Sequence, residues 1–129
     1  MIPDVRSKSF WKIDYLRDYL NSYEGFIPIL CISETWIKSY VSDAQISIPS
    51  YHQPYRSDRA NRMRGGCLTY IHQSISVGEK STFDNMFCEA CITPLEEVKT
   101  AVISVYRPPN CPTSKFRQKI DFIQNFILK

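Results

Sequence analysis

No apolar run in this chain reaches the roughly 20 residues that a helix needs to cross a bilayer, and no secretory leader opens it. No membrane partner is expected. Repeats and low-complexity tracts are missing as well, so neither a solenoid nor a flexible linker organises the chain. Histidine is scarce: His52 and His72 have no spacing that suggests paired metal ligation and read as surface or strand residues. The charge excess is small, a net +3, and does not by itself imply nucleic acid. Cysteine is present in an odd number, five, without a disulfide-like framework. This points to a reducing, intracellular compartment and to no disulfide partner. Cys88-Glu89-Ala90-Cys91 has the spacing of half a zinc site, but no second pair accompanies it, and residues three apart on a strand face opposite ways. Cys31 and Cys67 read as small buried apolar residues. No Gly-x-Ser-x-Gly elbow and no histidine arrangement suggests a nucleophilic enzyme.

What is present suffices for one core and not for two domains: 129 residues, 43% of them hydrophobic. The pattern alternates α and β elements. Phe10 to about Tyr23 places Ile13, Leu16, Leu20 and Tyr23 on one face, an amphipathic helix ending before Gly25 that should pack on a sheet. Phe26 to Ile32 is a nearly continuous apolar run, as expected of a strand covered on both faces. Cys67 to Ile71 reads as a strand after Gly65-Gly66, Phe87 to Thr93 as another, and Thr100 to Val105 as a third, with Glu96-Glu97 in the turn before it. These three suggest an antiparallel meander. Ser114 is the expected cap of a last helix in which Phe116, Ile120, Ile123 and Ile127 recur at helical spacing.

Two stretches carry the chemistry. Ser33-Glu34-Thr35-Trp36 closes the first apolar strand, and Tyr106-Arg107-Pro108-Pro109-Asn110 closes the last. Strand ends of this kind are where ligands collect, because the strand fixes the backbone and the following loop aims side chains. A carboxylate at Glu34 suits a hard divalent cation such as Mg²⁺, which takes oxygen ligands and polarises a phosphoryl oxygen. The prolines after Arg107 stop strand pairing and helix formation, holding the Tyr106 phenol at the sheet's edge. Taken alone, Glu34 reads as a solvated or salt-bridged carboxylate, Tyr106 as a half-buried aromatic, and Trp36 as a packing residue. Between these stretches, Arg56, Arg59, Arg62 and Arg64 crowd one segment whose Asn61 and Gly65-Gly66 suggest a loop. Two readings stand for it: contacts to DNA phosphates, or a solvated loop in which Asp58 pairs with a neighbouring arginine.

Together with Asp4-Val5-Arg6-Ser7, Arg56-Ser57-Asp58-Arg59 and Gly65-Gly66, these stretches resemble the endonuclease/exonuclease/phosphatase superfamily, most closely the apurinic-type endonuclease domain of non-LTR retrotransposons. That domain has a strand ending in an Asn-x-Arg-Ser-like turn, a helix, a strand ending in Ser-Glu-Thr-Trp, and later a strand ending in Tyr-Arg-Pro-Pro-Asn. The resemblance covers residues 4 to 128. It implies an α/β (α+β) chain forming part of a four-layer DNase I-like sandwich, in a single C-terminally truncated domain spanning residues 1–129. It implies Mg²⁺ at Glu34, the scissile phosphate positioned by Tyr106, and Asn110 as the asparagine closing that turn. Asp4 stands where the family usually has an asparagine near the metal and phosphate, so an acceptor-only carboxylate replaces an amide that can also donate.

The family's Gly-Asp-Phe-Asn-like and Ser-Asp-His motifs are not in this chain. General acid–base assistance commonly contributes about 10²–10⁴-fold, and the groups of a site act as a unit. The expectation is therefore the N-terminal part of a Mg²⁺-dependent DNA endonuclease, intracellular and nuclear, nearly inactive as this polypeptide. Its uncovered sheet surface would favour self-association. The alternatives are a nucleic-acid-binding remnant without catalysis and a phosphomonoesterase or phospholipid phosphatase of the same superfamily.

Overall fold

The computed structural model describes residues 9–33, 35, 37, 38, 40–57, 66–79, 81–84 and 89–127. The described elements are α1 (Ser9–Ser22), β1 (Ile29–Ser33), a short 3-10 helix (Asp43–Ile46), β2 (Tyr55–Ser57), β3 (Cys67–Ile71), β4 (Ser81–Asp84), β5 (Glu89–Leu95), β6 (Thr100–Tyr106) and α2 (Thr113–Ile127). They form two antiparallel sheets, ordered β1-β3-β2 and β4-β5-β6. The chain is of the α+β class.

The uncharged run Cys67–Ile71 takes the centre of the first sheet, where all five residues are buried. Alternation along it separates two environments. Leu68 and Tyr70, with Leu30 and Ile32 beside them, pack against Ile13, Leu16 and Leu20 of α1 and against Ile37, Val41, Ile46 and Ile48. Fully burying side chains of this size stabilises by about 1.5–3 kcal/mol each. The Tyr70 hydroxyl donates to the Ile46 carbonyl at 2.6 Å, tying the 3-10 helix to the sheet. Burial pushes the Tyr70 phenol up to about 12. The 3-10 helix itself is fixed by a capping box: the Gln45 N–H donates to Ser42 Oγ at 3.3 Å, and the Ser42 N–H donates to Gln45 Oε1 at 2.9 Å.

Cys67, Thr69 and Ile71 point the other way, toward the second sheet, where Cys91, Thr93 and Ser104 are also buried. The Cys67 thiol reaches the Ser104 carbonyl across the gap at 3.6 Å. The small residues of this layer let the sheets approach closely. On the far face of the second sheet, Ala90, Ile92, Ala101 and Val105 pack with Ile123 of α2.

Several expectations shift. The first strand starts at Ile29, because Pro28 has no N–H for the ladder and its carbonyl instead accepts the His72 N–H at 2.8 Å. It is an edge strand of the described sheet, with Cys31 and Ser33 exposed, not a strand covered on both faces. Cys31 is therefore not a buried apolar residue, whereas Cys67 is. Tyr23 lies beyond α1 and stacks on Tyr19 at 5.6 Å instead of joining the core. Ser114 sits inside the first turn of α2, since the Pro112 carbonyl already accepts the Phe116 N–H at 3.0 Å. The expected turn at Glu96-Glu97 joins β5 to β6. Among the described residues no helix is long and apolar enough to cross a membrane, and no disulfide joins Cys31, Cys67, Cys91 and Cys111 to one another.

Candidate functional site

Three segments distant in sequence meet at one edge of the paired sheets. β1 ends at Ser33, opposite Cys67 in the ladder. Just beyond, the Thr35 N–H donates to the Gly66 carbonyl at 3.4 Å, and buried Thr35 accepts the Ile37 N–H on Oγ1 at 3.5 Å. Gly66 has φ 88°, a left-handed conformation that glycine adopts without penalty, and it turns the chain into β3. β2 ends at Ser57, likewise opposite Cys67. The arginine-rich segment therefore leaves the first sheet at Ser57 and returns at Gly66, both at this edge. The Cys67–Ser104 contact brings in the second sheet, and Tyr106 lies two residues beyond Ser104 on β6, paired with Glu89 at the end of its ladder.

After Tyr106 the chain turns compactly. The Cys111 N–H donates to the Pro108 carbonyl at 3.0 Å. Arg107 Nη2 donates to the Cys111 carbonyl at 2.8 Å and to Thr113 Oγ1 at 3.1 Å, and its guanidinium lies 5.2 Å from the Phe116 ring centroid. Arg107 thus clamps the turn to the first residues of α2, a role the Tyr-Arg-Pro-Pro-Asn string did not disclose. Pro108 is buried, Tyr106 is half-buried, and Asn110 is exposed on the turn.

Arg56 is not in a loop. It lies on β2, with its side chain only 11% exposed. Its Nη1 donates to the Val41 carbonyl at 2.6 Å and to Asp43 Oδ1 at 3.0 Å, and Nη2 donates to the Lys38 carbonyl at 3.2 Å. This is a brace for the 38–43 segment on the outer face of the first sheet. Arg59, Arg62 and Arg64 lie outside the described residues, as do Asp4, Glu34, Trp36 and Asp58.

No protein-family model matches the chain, and no curated protein does either.

Among the described residues no group of three or more histidine, cysteine, aspartate or glutamate side chains gathers for a metal. Both histidines lie at the opposite end of the first sheet. His72 follows Ile71, which pairs with Ile29 at the start of β1, and it bridges to Tyr51. His52 Nε2 sits 2.6 Å from the Ile75 carbonyl. Tyr55, on the inward face of β2, has its phenol pushed up by burial, with Cys91 and Glu96 adding to the shift.

Proposed function

We propose that this chain is the N-terminal part of a Mg²⁺-dependent phosphodiester hydrolase of the DNase I-like kind, whose substrate is DNA. One observation carries the reading: Ser33 and Thr35, Ser57 and Gly66, and Tyr106 and Arg107 converge on a single edge through the Cys67 pairings and the Cys67–Ser104 contact. The order of helix, sheet, sheet, helix supports it, being the layer order of a four-layer sandwich. Glu34, between Ser33 and Thr35, would hold the cation, with water completing its shell. The cation supplies charge that polarises a phosphoryl oxygen. Tyr106 and Asn110 orient the phosphate, and Arg59, Arg62 and Arg64, on the segment tethered at Ser57 and Gly66, meet the flanking phosphates. A second copy would associate along the outer strands of the two described sheets.

A second reading has its own support. The chain's two histidines sit at the far end of the first sheet, so neither can take a proton from water at this edge. In that reading the polypeptide binds duplex DNA through the same edge without cutting it. A supercoiled-plasmid nicking assay with Mg²⁺ on the wild-type chain and Glu34→Ala separates the two. Nicking by the wild type that the substitution abolishes supports the hydrolase. Salt-sensitive binding without nicking, with a slope of about −0.9 per phosphate neutralised, supports the binding module. Salt-independent association would overturn both.

A further inference from the structure

At the opposite end from the strand-end motifs the molecule has a cavity of about 400 Å³, within the range of small-molecule sites. Tyr23, Phe26, Tyr51 and His72 line it beside aliphatic and polar residues. The His72 and Phe26 rings meet edge-to-face at 4.8 Å and 80°, and the His72 and Tyr51 rings at 5.3 Å and 81°. Tyr23 closes another side by lying on Gly25, where a Cβ would come within 2.5 Å of the ring. The floor is a turn, with the Tyr51 N–H donating to the Ile48 carbonyl at 3.2 Å across Pro49 and Ser50. Ser50 is held there at φ 73°, a conformation that costs a side-chain-bearing residue about 1–2 kcal/mol.

The charges are arranged unequally. Arg17 reaches the cavity, but its guanidinium is used inside the protein: Nε donates to the Ser47 carbonyl at 2.8 Å, Nη2 to the Gln45 carbonyl at 3.0 Å, and Nη1 to Asp14 at 3.0 Å. Asp18 lines the same cavity, and among the described residues no cation is paired with it. The Ser74 N–H donates to His72 Nδ1 at 3.1 Å. Aromatic rings and a carboxylate around a hollow are the chemistry that holds an organic cation. We infer that this cavity binds a small quaternary or alkylated ammonium group, at a site separate from the phosphodiester edge and independent of how that edge functions.

The test is a titration of ¹⁵N-labelled protein with choline, with its neutral isostere 3,3-dimethylbutan-1-ol, and with a peptide carrying trimethyl-lysine. Choline should shift the amides of Asp18, Phe26, Tyr51 and His72 and bind about tenfold more tightly than the isostere. Tighter binding of the peptide than of choline would identify a modified side chain as the ligand's source, and the reverse a free small molecule. Phe26, 62% exposed, and Asp18, on the surface of α1, can be changed without opening the core. Phe26→Ala and Asp18→Asn should each weaken choline binding about five- to tenfold while leaving the melting curve in place. Equal binding of the isostere, unchanged affinity in both variants, or no shifts at these residues would overturn the assignment.

Discussion

The Arg56 guanidinium donates to two backbone carbonyls and a carboxylate, and this decides what its loss should do. Arg56→Ala leaves the Val41 and Lys38 carbonyls without those donors in a partly buried place, so it should destabilise by about 2–3 kcal/mol. Asp43→Asn, at the more exposed partner, should cost only about 0.5–1 kcal/mol. Urea melts of the two variants check the ranking. A normal melt for Arg56→Ala combined with weaker duplex binding would mean that the side chain serves DNA and not the 38–43 segment. In the sequence Arg56 is indistinguishable from Arg59, Arg62 and Arg64. Only the alternation of β2, which sends Tyr55 and Ser57 inward and Arg56 outward, separates it from them. Arg107 is the converse case, since its place between Tyr106 and two prolines suggested the edge while its contacts serve the turn and the start of α2.

Among the described residues, the layer between the sheets contains two buried hydroxyls, Thr69 Oγ1 and Thr93 Oγ1, that have no hydrogen-bond partner. A buried hydroxyl without a partner carries its desolvation cost uncompensated, so Thr69→Val should stabilise the chain by about 1 kcal/mol, with Thr93→Val acting in the same direction. A loss in a thermal melt for both would mean that the hydroxyls are satisfied. The elements around this layer were unequally legible. Both helices follow from their spacing, and β3, β5 and β6 from their apolar runs. β2 and β4, three and four residues long, show no alternation long enough to read. The start of β1 depends on Pro28 and on a carbonyl whose partner, His72, lies far along the chain. The position of Tyr23 depends on contact with Tyr19 and Gly25, which helical periodicity does not encode.

Across the whole molecule, the two ends of the paired sheets differ in character. One gathers the ends of β1, β2 and β6, and the other gathers both histidines and the aromatic cavity. The motifs of the first end were legible as strings, and a common location could be suspected from each closing a strand. That they share one edge follows from the Ser33–Cys67 and Ser57–Cys67 pairings and the Cys67–Ser104 contact, which are long-range and leave no local mark in the sequence. The cavity had no sequence signal beyond Pro49-Ser50 and Gly25, each ordinary by itself. The central claim is that this first edge is a single phosphodiester-binding surface. Its most direct test is an NMR titration of the labelled chain with a short DNA duplex and Mg²⁺. The account predicts coincident shifts at Ser33, Thr35, Gly66, Tyr106 and Arg107, with Tyr51 and His72 unmoved; shifts confined to one of the segments, or centred on the histidine end, would contradict it.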